Sequence, residues 1–125
     1  MKKLLTALVI IVSMGTAGAV CAQDFDKGLR AYKAGDYATA LKEWTVLAEQ
    51  GDARAQFNLG MKYVLGNGVI QDNVYAHMWI NIAASNGNAA ALENRDIIAK
   101  QITSSQMAEA QKLARACVKK KYKGC

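Results

Sequence analysis

From residue 25 onward, apolar residues recur at three- and four-residue steps and nowhere alternate with polar ones over several positions, a pattern that predicts helices and no strands. The clearest case is Ala40, Leu41, Trp44, Leu47 and Ala48, which form one continuous apolar face on a helix over residues 37–50. A shorter helix over residues 25–33 precedes it. Between the two, Gly35 suits a helix C-cap and Asp36 an N-cap, so the break has a mechanism. Asp52 is placed to cap a helix over residues 53–65, which Gly66, Asn67 and Gly68 stop. A connector over residues 69–72 follows, with Val69 filling the gap between helices and Asp72 capping the next helix, residues 73–85. The last pair begins near Asn88 and Ala89, pauses around Ile102 and restarts at Thr103, whose side chain pairs with Gln106 three positions on in a capping box. That helix covers residues 104 to about 119. The expectation is an all-α chain, a short α-solenoid of about three antiparallel hairpins over residues 24–50, 53–86 and 88–120.

A repeat supports this reading. Residues 48–55 and 84–91 are one phrase written twice, with Gly51 and Gly87 36 positions apart, and a period of that length marks stacked helical repeats. The register extends outward: Asp36 falls on Asp72, Ala40 on Ala76, Ala48 on Ala84, Ala53 on Ala89 and Ala55 on Ala91. Small residues at Ala55, Gly60, Ala76, Ala83 and Ala84 let backbones approach, so that Leu59, Tyr63 and Trp79 interlock. Both tryptophans and Tyr63 are therefore assigned to core packing rather than to ligand stacking.

Composition adds the ends of the chain. Lys2 and Lys3, the apolar run over residues 4–12 and the small residues around Ala22 form an export signal, with cleavage expected before Gln23. The run is shorter than the ~20 residues a spanning helix needs, which disfavours a retained anchor. Lipid attachment at Cys21 is disfavoured by Val20 before it and Gly18 two places further upstream. Residues 23–125 then form a single domain in the periplasm or outside the cell, large enough for a core. Removing the signal leaves fourteen Lys and Arg against ten acids, a mildly basic chain. It also leaves Cys117 and Cys125 as an even pair, and an oxidising compartment favours a disulfide between them. The alpha carbons must then come within about 7 Å, so the last helix must end near residues 119–121 and turn back through Gly124. Free thiols and an intermolecular bridge are the alternatives. Two cysteines with no nearby His do not make a structural zinc site, and no cofactor is expected.

The residues Ala55, Gln56, Leu59, Gly60, Tyr63, Gly66, Gly68, Val69, Asp72, Ala76, Trp79, Ala83, Ala84, Gly87 and Ala91 resemble the Sel-1-like repeat, a relative of the tetratricopeptide repeat. The likeness covers residues 53–91; upstream, Gly28, Leu29, Tyr32, Gly35, Asp36, Tyr37, Ala40 and Leu41 resemble the tetratricopeptide form of the hairpin. After Ala91 the pattern departs, with Arg95 in place of Leu and Asp96 in place of Gly, and Ile70 stands where the repeat often has Pro. The resemblance implies an α-solenoid that binds proteins or peptides of the bacterial envelope. It also implies a rival reading, since some exported relatives are described as binding or hydrolysing β-lactams.

The residues offer that chemistry little. Neither Ser-x-x-Lys nor Lys-Thr-Gly occurs. The only histidine, His77, has no nucleophile and orienting carboxylate at helical spacing, and is read as scaffold rather than catalyst. Binding has a better candidate: Arg54, Asn58 and Lys62 step by four along one helix stripe. By analogy with tetratricopeptide stacks, these residues, joined by Arg30 and Lys33, are expected to form a basic groove for an acidic or carboxylate-ended peptide. A solvated helix face is the competing explanation. The run Lys119, Lys120, Lys121, Tyr122 and Lys123 suits anionic headgroups or a solvated helix end, and one aromatic residue among these lysines disfavours nucleic acid. The function expected is that of an exported, non-enzymatic interaction module. The alternatives are a small cell-wall hydrolase and a purely structural subunit of an envelope assembly.

Overall fold

The structure, a computed structural model, describes residues 17–125, with side chains from Phe25 onward. Most of the expected signal segment lies outside these residues. Six helices follow in chain order: α1 (Ala17–Lys33), α2 (Tyr37–Glu49), α3 (Ala53–Leu65), α4 (Asn73–Ser85), α5 (Ala89–Ala99) and α6 (Ser104–Lys119). There is no strand among the described residues, so this part of the chain is all-α. The helix α1 runs through the position between Ala22 and Gln23 where cleavage is expected, and its part from Gln23 to Lys33 would remain after cleavage.

The helix starts follow from capping chemistry. The carboxylates of Asp36, Asp52 and Asp72 accept backbone N–H bonds from the first turns of α2, α3 and α4, and the Asn88 side chain does so for α5. At α6, Thr103 and Gln106 bond reciprocally. The repeated phrase makes the same turn twice. Gly51 (φ 89°) donates to the Ala48 carbonyl and Asp52 to that of Leu47, while Gly87 (φ 94°) donates to Ala84 and Asn88 to Ala83. Both glycines occupy left-handed backbone that residues with a Cβ adopt at a penalty.

The α3–α4 hairpin forms the centre. Gly60 makes its close approach possible, since a Cβ there would lie 2.5 Å from Ile80 Cγ1 and 3.2 Å from the Ala76 carbonyl. On one side α2 packs on α3 and α1 on α2. The main core gathers Trp44, Leu47, Leu59, Met78, Trp79 and Ile82, and α6 adds Ala114 and Cys117 to it. Trp44 and Trp79 are both buried, as the sequence implies. A second core joins Ala91 and Ile98 of α5 to Ile80, Ala83 and Ala84, with Phe57, Met61 and Val64 packed beside them.

The region expected to be the third hairpin is open. Each of α5 and α6 packs on α4, and the two do not pack along one another. The departures from the repeat pattern lie in this opening: Arg95 and Asp96 line the cavity between α5, α4 and α6.

Candidate functional site

The stripe singled out on α3 lies where α3 meets α1. Lys62 is 3% exposed, with Nζ 3.3 Å from the centroid of the Tyr32 ring and 5.2 Å from that of Trp44. No carboxylate lies within ion-pairing distance of it among the described residues. Burial pulls its pKa down to about 8, and the ring faces offset part of the cost of holding a cation there. The Arg54 guanidinium sits 4.2 Å over the Phe25 ring and binds Asp52 at 3.1 Å. Asn58 is half-buried, and Arg30 and Lys33 are exposed on the last turn of α1. The structure thus brings Arg54 and Lys62 together with the aromatic side of α1 and α2. Lys62 acts there as an internal fastener, closed to an outside ligand, while Arg30 and Lys33 remain on the surface.

A larger opening lies over α4, its outer part against α6 and its inner part between α5 and α6. Its outer part is a cleft of ≈ 610 Å³ flanked by Asn81 and Asn86 from α4 and its C-cap and by Gln111, Arg115 and Lys119 from α6. Beside it lies an inner cavity of ≈ 220 Å³, lined by His77, Arg95 and Asp96, that shares Asn81 and Gln111 with the outer one. The outer cleft alone is comparable with small-ligand sites, about 300–1,000 Å³. Arg95 Nη1 donates to Asn81 Oδ1 at 3.2 Å.

His77, at the inner end, is 3% exposed, and its Nδ1 is buried with no hydrogen-bond partner. Burial, and then the nearby Arg95 charge, lower its pKa, so the ring is neutral at pH 7. Neither a nucleophile nor a carboxylate is hydrogen-bonded to it among the described residues. No group of three or more His, Cys, Asp or Glu is disposed to hold a metal ion among them either.

The C-terminal tail closes one end of the cleft. Cys117 and Cys125 are joined, with alpha carbons 5.6 Å apart. To bring them together the chain leaves α6 through Lys121 (φ 54°) and Tyr122 (φ 68°), left-handed residues that are not glycine, and then through Gly124. Two tyrosines hold the folded-back tail. The Tyr75 hydroxyl donates to the Cys125 carbonyl at 2.6 Å, and the Tyr122 hydroxyl exchanges hydrogen bonds of 3.2 and 3.3 Å with the Asn86 amide. Asn86 donates in turn to Gln56 Oε1 (2.9 Å), and the fully buried Gln56 donates to the Ala48 carbonyl (3.1 Å). Sequence reasoning did not reach this relay, because Tyr122 lies within a lysine run and looks solvated. The doubled register carried the available signal, since it places Asn86 where Gln50 stands one repeat earlier.

Comparison of the chain with family models, with curated proteins and with solved structures finds no match. No helix among the described residues is long and apolar enough to cross a membrane.

Proposed function

We propose that this chain is an exported helical-repeat module of the Sel-1-like type that works by binding a protein or peptide of the cell envelope. The observation that carries the reading is the open cleft over α4, where a solenoid of closed hairpins would instead bury α5 against α6. Its lining mixes apolar side chains, Ile82, Ala114 and Val118, with amides and the cations Arg115 and Lys119, while its floor is α4 of the packed α3–α4 hairpin, so the site is held on rigid elements. The doubled Gly51 and Gly87 turns support the repeat assignment, and the export signal read in residues 1–22 supports the location. The exposed lysines 119–121 and 123 add a basic edge beside the cleft that suits an anionic surface.

The test is affinity capture of the mature chain from an envelope extract after mild crosslinking, followed by mass spectrometry. A discrete partner is expected, and failure to recover one would count against the proposal. Purified protein is expected to leave a chromogenic β-lactam intact; turnover would favour the hydrolase reading instead.

A further inference from the structure

We propose that the cleft over α4 recognises an extended peptide through carboxylate side chains at alternate positions. Arg115 and Lys119 would take two of them on the outer wall, and Arg95 one at the inner end. This assignment rests on the interaction-module reading and names its ligand chemistry.

Three observations carry it. First, the cleft is lined by three cations against the single carboxylate of Asp96, and none of the three has a carboxylate within ion-pairing distance among the described residues. Arg95 is half-buried and gives one N–H to Asn81, which leaves most of the five donors of a guanidinium for a ligand. Second, two of the cations follow one another along the helix axis. Arg115 and Lys119 are one turn apart on α6, a rise of ~6 Å at 1.5 Å per residue. Successive same-side residues of an extended peptide are spaced by ~6.6 Å, two residues at about 3.3 Å each, so every second side chain meets the next cation. A compact phosphate would instead call for donors gathered on one point. Third, Gln111 and the amide nitrogen of Asn81 line both parts of the opening and offer hydrogen-bonding groups to a peptide backbone, while the Asn86 side chain is held by Tyr122 and Gln56.

The inner end explains a further feature. His77 is neutral beside Arg95, so the positive charge there is concentrated on Arg95, and the buried ring lacks a polar partner. A ligand carboxylate on Arg95 would offset the charge that now disfavours a proton on His77, which gives an independent spectroscopic signature of occupancy.

The experiment uses the oxidised mature chain and a fluorescent peptide, Glu-Ser-Glu-Ser-Glu, acetylated and amidated so that side chains supply its only carboxylates. Saturable binding by anisotropy is expected, with amide shifts at Asn81, Arg95 and Gln111 and an upward shift of the His77 imidazole titration by NMR. Replacing the three Glu by Gln should abolish binding. Because exposed charge pairs are individually weak, Arg115→Gln with Lys119→Gln should weaken it about three- to tenfold and flatten its salt dependence. Arg95→Gln should weaken it at least as much and remove the His77 shift, whereas Arg30→Gln with Lys33→Gln should leave affinity unchanged. Arg115 and Lys119 are exposed, so their variants test the site even if Arg95→Gln proves unstable. Absence of saturable binding, or binding indifferent to the Arg115 and Lys119 changes, would overturn the assignment. If envelope capture still returned a partner in that case, the interaction reading would stand and only the carboxylate chemistry would fall.

Discussion

The ammonium of Lys62 stands 3.3 Å from the centroid of the Tyr32 ring, and this contact joins α3 to α1 without a counter-ion. A buried cation supported only by ring faces leaves a pH signature. In the unfolded chain Lys62 keeps its proton up to about pH 10.5, whereas in the folded protein it releases it near 8. Between those values the unfolded state binds more protons, so stability rises with pH.

Denaturant unfolding at pH 7 and 9.5 should therefore show the protein more stable at the higher pH, by up to about 2 kcal/mol. Lys62→Met should remove this slope. The comparison stops below pH 10 because Tyr63, whose pKa is raised by burial and by the nearby Tyr75 and Asp72, is destabilising once the unfolded phenol ionises. A wild-type protein with no rise between the two pH values would show that Lys62 is solvated.

Gly60→Ala sets two effects against each other. Alanine in a helix gains up to about 1 kcal/mol over glycine. The added Cβ would lie 2.5 Å from Ile80 Cγ1, and Ile80 is fully buried with no room to retreat. Overpacking of this kind costs about 1–3 kcal/mol, so a net loss of stability is expected in thermal melts. A variant as stable as wild type would mean that α3 and α4 are less closely packed than described.

The tail should depend on its bridge. Closing the eight-residue separation between Cys117 and Cys125 contributes somewhat under ~3 kcal/mol in the chain-entropy model. Cys125→Ala should lower stability by that order and weaken the Tyr122 to Asn86 link. Tyr122→Phe, which leaves the bridge intact, should cost about 1 kcal/mol. Intact mass after alkylation decides the bridge itself: no label is expected without reductant and two labels with it. Two thiols labelled without reductant would contradict the structure.

What the sequence could reveal depended on the range of the interactions involved. Helix boundaries are local events, and Asp52, Asp72, Asn88 and Thr103 announce them through capping chemistry that needs only the next few residues. The doubled phrase likewise encodes its own turn. The stripe of Arg54, Asn58 and Lys62 was legible as residues on one helix face, but periodicity does not say which neighbour that face meets. Tyr32 and Trp44 arrive from α1 and α2, and they convert Lys62 from a surface cation to a buried one. The opening over α4 was half visible: Arg95 and Asp96 break the repeat pattern, yet only the placement of α6 on α4 turns that break into a cleft. Tyr122 was hidden for a similar reason, because its partner Asn86, and Gln56 bonded behind it, lie 36 and 66 positions away in sequence.

The central claim is that the chain engages a partner through the cleft over α4. The most direct measurement is photocrosslinking in cells that produce the protein, with a photoreactive residue replacing Gln111 at the cleft or Lys33 on the exposed end of α1. The account predicts a discrete adduct from the Gln111 position, diminished when Arg95→Gln is introduced, and none from the Lys33 position. No adduct at Gln111, or the same adducts at both positions, would contradict it.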